Sequence, residues 1–396
     1  MRIVYVQPAE RLGGAERQGI VAMRLLPLFG IDVVPVVGPG DAVRRALVQS
    51  GIGHVFCPEF PGEFEEPAPY PERVARHARH MLSHYLLRDR IANIALERGA
   101  DLVFASRPFG WVAGGAGARM ARVPCVWRAG SRTTTRQQRA WLRLGSSLYK
   151  PVALVSNCRA VADSIHPLVS CPSYLVPNGV ELDRFDPDAA TPRFRDALGL
   201  GTDPVLGIVA RPAREKGFDT LVTALEKLSK RVPELRVLVA GEYPGRGYYE
   251  DVFARVTHGR TRFVGHVDDV ESFYCSCDVV CLASLERSVE GLSNAVLEAM
   301  AMERPVVATL VGGVTEAVTH GQEGWLVPPE DPAAIVERVV SLLQSPELRA
   351  RMGAAGRSKV KAKFSAHVVV AHLAQLLREI LENSRFHLRS VQKAAS

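Results

Sequence analysis

Two glutamates eight positions apart, Glu290 and Glu298 in EGLSNAVLEAM at 290–300, are of the types and spacing that could do chemistry. A Gly-Leu-Ser-Asn step (Gly291, Leu292, Ser293, Asn294) separates the first from a helix-like run. An exposed turn acid followed by a helix-surface acid explains such a pair as readily as a site does. A two-carboxylate glycoside hydrolase is a further reading. The second group is cationic. In IVARPAREKGFDTL at 208–221, Arg211 follows an apolar run and Lys216 precedes a helical one. A planar guanidinium and an ammonium five positions apart can hold both phosphates of a diphosphate. A solvated charged loop is the alternative. The hydrolase reading leaves both cations without a role.

Three further loops carry glycine or flat backbone. In QPAERLGGAERQG at 7–19, Gly13 and Gly14 allow backbone N–H groups to approach an anion before a helix starting near Ala15. The loop is neither G-x-G-x-x-G nor a Walker loop, which disfavours a nicotinamide dinucleotide. AGEYPG at 240–245 places Gly241 in a turn, and in VGHVDDVESFY at 264–274 the backbone at His266 and Val267 can face a flat base. Asp268 and Asp269 look like a metal pair but are expected to cap a helix beginning at Val270. Cys275, Cys277 and Cys281 lack C-x-x-C spacing and read as small core residues.

Each group needs a strand end to hold it. Apolar runs alternate with amphipathic helical stretches along the whole chain. RIVYVQ, DVVPVVG, HVFCP, DLVFAS, PCVWRAG and ALVSN come first, then VLGIVA, LRVLVAG, TRFVGH, DVVCLAS, PVVATLVGG and GWLVP. FDTLVTALEKLSKR and PAAIVERVVSLLQ are helix-length segments among them. Strands alternating with helices mean parallel sheets covered on both faces, with ligands at the carboxyl ends of the strands. The series restarts after PSYLVPNGVELDRFDP at 172–187, so two doubly wound α/β domains are expected, 1–174 and 175–374. A last amphipathic helix, from about Ser365, is expected to pack back on the first domain through residues 375–396.

The 396 residues fit two domains, and 47% hydrophobic with 23% charged residues describes a globular chain. No uncharged apolar stretch reaches the roughly 18 residues of a membrane span. The short apolar start reads as a buried strand, so a cytoplasmic protein is expected. Seven cysteines argue against a disulfide framework in that compartment. Charge is uneven: residues 1–175 hold 22 Lys and Arg against 13 Asp and Glu, whereas residues 176–396 hold 27 against 29. RVARHARHMLSHYLLRDR at 73–90, with Arg73, Arg76, Arg88 and Arg90, reads as a basic amphipathic helix suited to an anionic membrane, or as a solvated face.

The ordered set R-x4-KG, VGHV, E-x7-E before AMA, and GGVTEAV…GWLVPPED at 312–331 resembles the retaining glycosyltransferases of family 4, with the GT-B fold. The likeness is close over about 176–345 and looser at GGAE. It implies two Rossmann-like domains and transfer of a hexose-type sugar from a nucleoside-diphosphate sugar to a glycan or glycolipid acceptor. It further implies that Glu290 faces the donor sugar, that Gly291 to Asn294 lie near the diphosphate, and that Glu298 accepts from ribose hydroxyls. Arg211 and Lys216 would neutralise the leaving diphosphate, with Gly14, Gly241, His266 and Val267 completing the nucleotide-sugar site. With those cations and a helix N-terminus at the leaving group, neither metal nor cofactor is expected. No nucleic-acid partner is expected either. A nucleotide-sugar 2-epimerase and a silent binding subunit share the architecture.

The acceptor half departs from the family pattern. Histidines common after the strand DLVFAS and after the next one are replaced here by Ser106-Arg107-Pro108 and by WRAGSRTTTRQQR at 127–139. Arg107, Arg128 and Arg132 are therefore candidates for an anionic acceptor, with a solvated basic surface as the alternative.

Overall fold

The computed structural model describes residues 1–8, 11–58, 60, 82–242 and 247–395. The chain forms two compact units, Met1–Gly179 with Ala366–Ser396, and Val180–Ser365.

The first unit is built on a parallel sheet of seven strands: β1 (Arg2–Gln7), β2 (Asp32–Val37), β3 (Val55–Phe56), β4 (Leu102–Ser106), β5 (Cys125–Ala129), β6 (Ala153–Ser156) and β7 (Ser173–Leu175). Their order is β3-β2-β1-β4-β5-β6-β7. Strands covered on both faces should read as unbroken apolar runs. β1 does so, with Ile3, Val4, Tyr5 and Val6 all inaccessible to solvent. β7 was not expected, because three residues between prolines at 172 and 177 show no apolar alternation; pairing with β6 defines it.

The second unit has six parallel strands: β8 (Val205–Val209), β9 (Arg236–Ala240), β10 (Thr261–Gly265), β11 (Val279–Leu282), β12 (Val306–Thr309) and β13 (Gly324–Val327). Their order is β10-β9-β8-β11-β12-β13. Helix Phe218–Arg231 buries Phe218, Leu221, Ala224, Leu225 and Leu228, one face of a 3.6-residue repeat, against this sheet. In both units the strand order reverses at one place, β1/β4 in the first and β8/β11 in the second. Such a reversal opens a crevice at the carboxyl ends of the two strands.

The division differs from the expected 174/175 and 374/375 boundaries. Residues 175–179 stay with the first unit, and the return begins at Ala366. Helix Ala366–Ala395 lays Val369, Val370, Leu373, Leu376, Leu377 and Ile380 into the core that also holds Met23, Leu25 and Leu26. The amide of Gln18 grips Gly179 from both sides, donating to its carbonyl at 2.9 Å and accepting from its N–H at 2.8 Å. The departure point of the chain is thereby tied to helix Gly14–Leu25.

Candidate active site

The site of the second unit lies at the β8/β11 reversal. After β8 the chain makes a single tight turn, Arg214–Lys216, and enters helix Phe218–Arg231 through Gly217. Gly217 has φ 73°, and a Cβ there would stand 1.9 Å from the carbonyl oxygen of Ala283, just past β11. Only glycine allows the two loops to approach this closely. The N–H of Leu285 donates to the carbonyl of Glu215 at 3.0 Å, a second tie between them.

That contact brings the expected cation and acid together. Lys216 Nζ lies 2.9 Å from Glu290 Oε1, with the side chains 26% and 13% exposed. The Ser284 hydroxyl donates to Glu290 Oε2, and the Ser284 carbonyl accepts from Thr309 Oγ1 at 2.6 Å. The Glu290–Gly291 turn is held from the other side by the loop after β12. Gly312 has φ 60°, and a Cβ there would meet the Glu290 carbonyl oxygen at 2.6 Å, while Gly313 N–H donates to Gly291 at 3.0 Å. Leu292 and Ser293 are buried, and helix Asn294–Ala301 follows directly, starting four residues after Glu290. Such a helix start favours negative charge.

Arg211 is not part of that pair. Its guanidinium is 64% exposed and bonds Glu215 Oε1 at 2.8 Å, four residues along the same loop. An exposed ion pair of this kind is worth little, so the guanidinium is cheaply released to a ligand.

Glu298 is placed by a residue the sequence did not single out. The Tyr274 hydroxyl donates to Glu298 Oε2 at 2.9 Å. Tyr274 is fully buried, and its pKa is raised well above the ordinary value, by desolvation first and by the Glu298 charge second. It therefore remains a donor and holds the carboxylate in one orientation. Ser284 was missed likewise. A hydroxyl residue two positions past β11, six before Glu290, was its only signal.

The other expected nucleotide-side residues follow neighbouring strands. The N–H of Gly241, after β9, donates to Gly265 at 2.8 Å and so joins the β9 loop to the end of β10. His266 is half exposed, with Nε2 3.3 Å from Asp268 Oδ1, and Val267 is half-buried beside it. Asp269, not Asp268, caps helix Val270–Cys275 by accepting from Ser272 N–H. Tyr243 to Arg246 of the glycine turn lie outside the described residues. Among the described residues no three of His, Cys, Asp and Glu converge as metal ligands. Cys277 and Cys281 are buried, as expected of core residues, and Cys275 is half-buried.

The first unit repeats the arrangement at its own reversal. Helix Gly14–Leu25 follows β1, and its Glu16 is 1% exposed. Glu16 Oε2 accepts from Gly13 N–H at 3.0 Å, and Oε1 is 2.8 Å from Arg107 Nε, just after β4. Arg107 has φ 65°, a left-handed backbone that costs about 1–2 kcal/mol for a side chain of this kind. Arg107 is thus committed to a buried carboxylate and braces the glycine loop. Arg128, opposite Ser106 in the β4/β5 register, donates from Nη1 to the Tyr5 hydroxyl at 3.2 Å. Arg132 is half-buried on the loop after β5. GGAE, with an acid at the third helical position, was the available signal for Glu16.

Known proteins align with both halves. The family described as "Glycosyltransferase Family 4" matches residues 41–184, and "Glycosyl transferases group 1" matches residues 203–345. A GDP-mannose-dependent alpha-(1-6)-phosphatidylinositol monomannoside mannosyltransferase of Mycobacterium tuberculosis is 33% identical over 215 residues, 51% of this chain and 55% of the relative. A D-inositol 3-phosphate glycosyltransferase of Corynebacterium jeikeium is 33% identical over 243 residues, 57% of each chain. The chain spans about half the length of the curated relatives it matches. The crystal structure of HepE from Anabaena in complex with UDP and glucose superposes with a TM-score of 0.78 at 20% identity, over 96% of this chain and all of that one. A glycosyltransferase from Rickettsia africae gives 0.77 at 20% identity, over 96% and 99% of the two chains. Each half is thus similar to a glycosyltransferase family, and along its length the chain shares the two-domain GT-B fold of the solved structures.

Proposed function

We propose that this protein transfers a sugar, with retention of anomeric configuration, from a nucleoside-diphosphate sugar to a glycolipid or polysaccharide acceptor, without a metal ion. The observation that carries this reading is the Lys216–Glu290 pair at the β8/β11 reversal, one residue from each flanking loop. Breaking the sugar C1–O bond develops negative charge on the departing phosphate and positive charge on the sugar. Lys216, Arg211 and the start of helix Asn294–Ala301 oppose the first, and the Glu290 carboxylate opposes the second. Preorganised cations of this kind supply the charge stabilisation a metal would otherwise give, so neither metal nor cofactor enters the proposal. Glu298, oriented by Tyr274, takes the ribose hydroxyls. The relative named as GDP-mannose-dependent supports GDP-mannose as a first donor, and the HepE complex supports UDP-glucose as a second.

Calorimetric titration with GDP and UDP tests the division of roles. Glu298→Ala should weaken nucleotide binding by roughly tenfold or more, the usual cost of hydrogen bonds to a charged group. Tyr274→Phe should weaken it less, and Glu290→Ala should spare binding while lowering turnover. The opposite ranking of Glu290 and Glu298 would exchange their assignments. Product NMR reads the anomeric outcome directly, and an inverted product would remove retention from the reading. Incubating the donor alone separates the competing activity: conversion at C2 without acceptor would make the protein an epimerase.

Turnover should be unchanged in excess chelator. An absolute requirement for magnesium or manganese would sink the metal-free proposal.

A further inference from the structure

One face of the first unit combines apolar and basic side chains in a way its core does not require. From residue 102 to residue 162 the sequence has ten Lys and Arg and no Asp or Glu. Helix Arg136–Tyr149 runs through this stretch. It buries Leu142 and Ser146, while Leu144 and Leu148, one turn apart, remain 49% and 52% exposed. Arg136, Arg143 and Lys150 are exposed beside them. Tyr149 at the end of the helix has its hydroxyl pKa raised, by burial first and then by nearby Tyr85. A second exposed apolar group lies alongside: Gly115 and Gly117 of helix Arg107–Ala121 pack against Tyr149 and the Arg88 carbonyl, and just before Arg88 Leu82 and Leu86 are 57% and 62% exposed. The Arg88 guanidinium lies 4.3 Å over the Tyr85 ring.

Single exposed leucines are ordinary; leucines grouped with charge of one sign are not. We propose that this face docks the first unit on an anionic lipid bilayer, with Leu144, Leu148, Leu82 and Leu86 entering the headgroup boundary and Arg136, Arg143 and Lys150 meeting lipid phosphates. A second copy of this chain is a poorer occupant, because two such faces would oppose like charges. No helix among the described residues is long and apolar enough to cross a membrane, and this surface needs only interfacial contact. The basic helix expected at 73–90 is described only from residue 82. Arg73 and Arg76 lie outside the described residues, and Arg90 donates to the Phe56 carbonyl at 3.2 Å. The inference deepens the proposed function, resting on the reading that the acceptor is lipid-linked.

Co-sedimentation of the full chain with vesicles tests it, using pure phosphatidylcholine and phosphatidylcholine mixed with phosphatidylglycerol. Binding is expected only to the anionic vesicles. It should fade between about 0.1 M and 1 M salt, as the screening length falls from roughly 10 Å to 3 Å. Arg136→Gln with Arg143→Gln should weaken it about thirtyfold, at the usual worth of a basic residue near an anionic leaflet. Leu144→Ser with Leu148→Ser should weaken it at least tenfold, because leucine burial is lost. All four positions are solvent-facing, and an unchanged melting temperature verifies the fold of each variant. Equal binding to both lipids, or wild-type binding by both double variants, would overturn the proposal. A dimer in sedimentation velocity that the leucine variant abolishes would overturn it too and assign the face to self-association. Nucleoside-diphosphate affinity, measured without lipid, should be the same in wild type and variants. Failure of vesicle binding therefore leaves the donor-site reading standing, and failure of nucleotide binding leaves the surface standing.

Discussion

Lys216→Ala is expected to lower turnover by a factor of about a hundred or more, the scale seen when one preorganised charge-stabilising group is lost from a transition state. That factor corresponds to about 2.7 kcal/mol of barrier. The expectation is large because of where the ammonium sits. It is only 26% exposed, on a loop fixed against the end of β11, and it contacts a carboxylate that is 13% exposed. Water can replace neither partner well in such a setting. Removing Lys216 also leaves Glu290 with Ser284 as its remaining side-chain partner among those described, so some loss of stability should accompany the loss of rate. Arg211→Ala should act in the same direction by about tenfold, since its guanidinium is 64% exposed and more screened. Steady-state kinetics with each donor, beside melting curves, separates the two effects. Near-normal turnover in a folded Lys216→Ala protein would remove the residue from the mechanism.

Gly217→Ala is expected to be the most damaging single-methyl change in the second unit. The added carbon would stand 1.9 Å from the Ala283 carbonyl oxygen on a backbone with φ 73°. Overpacking and a left-handed side-chain residue together cost about 2–4 kcal/mol. For a unit of this size the melting transition should fall by roughly 5–15 °C. The β8 loop can relieve the clash only by moving away from β11, which also pulls Lys216 from Glu290. Turnover should therefore fall even at temperatures where the protein remains folded. Differential scanning calorimetry with kinetics well below the transition reads both. An unchanged transition and unchanged turnover would show that the two loops do not depend on this contact.

Much of the architecture was written locally. Adjacent residues carry a strand's apolar run or a helix's periodicity, so twelve of the thirteen strands and helices such as Phe218–Arg231 could be placed from sequence alone. β7 escaped because three residues are too few to show a period. The residue types at the strand ends were equally legible: Arg211, Lys216, Glu290 and Glu298 were named from spacing and resemblance. What sequence did not contain was which of them meet. Lys216 pairs with Glu290 only because β8 and β11 are neighbours in the sheet, and strand order is set by long-range packing rather than by any local pattern. The same reversal in the first unit turns Arg107 from a free anion binder into the partner of buried Glu16. Tyr274 reaches Glu298 across 24 positions and left no trace in either segment. The basic character of the first half was visible as a count. Which face presents it, Leu144 and Leu148 outward and Leu142 inward, was decided by the packing of helix Arg136–Tyr149, because burial is a property of the assembled unit and charge of the residues alone.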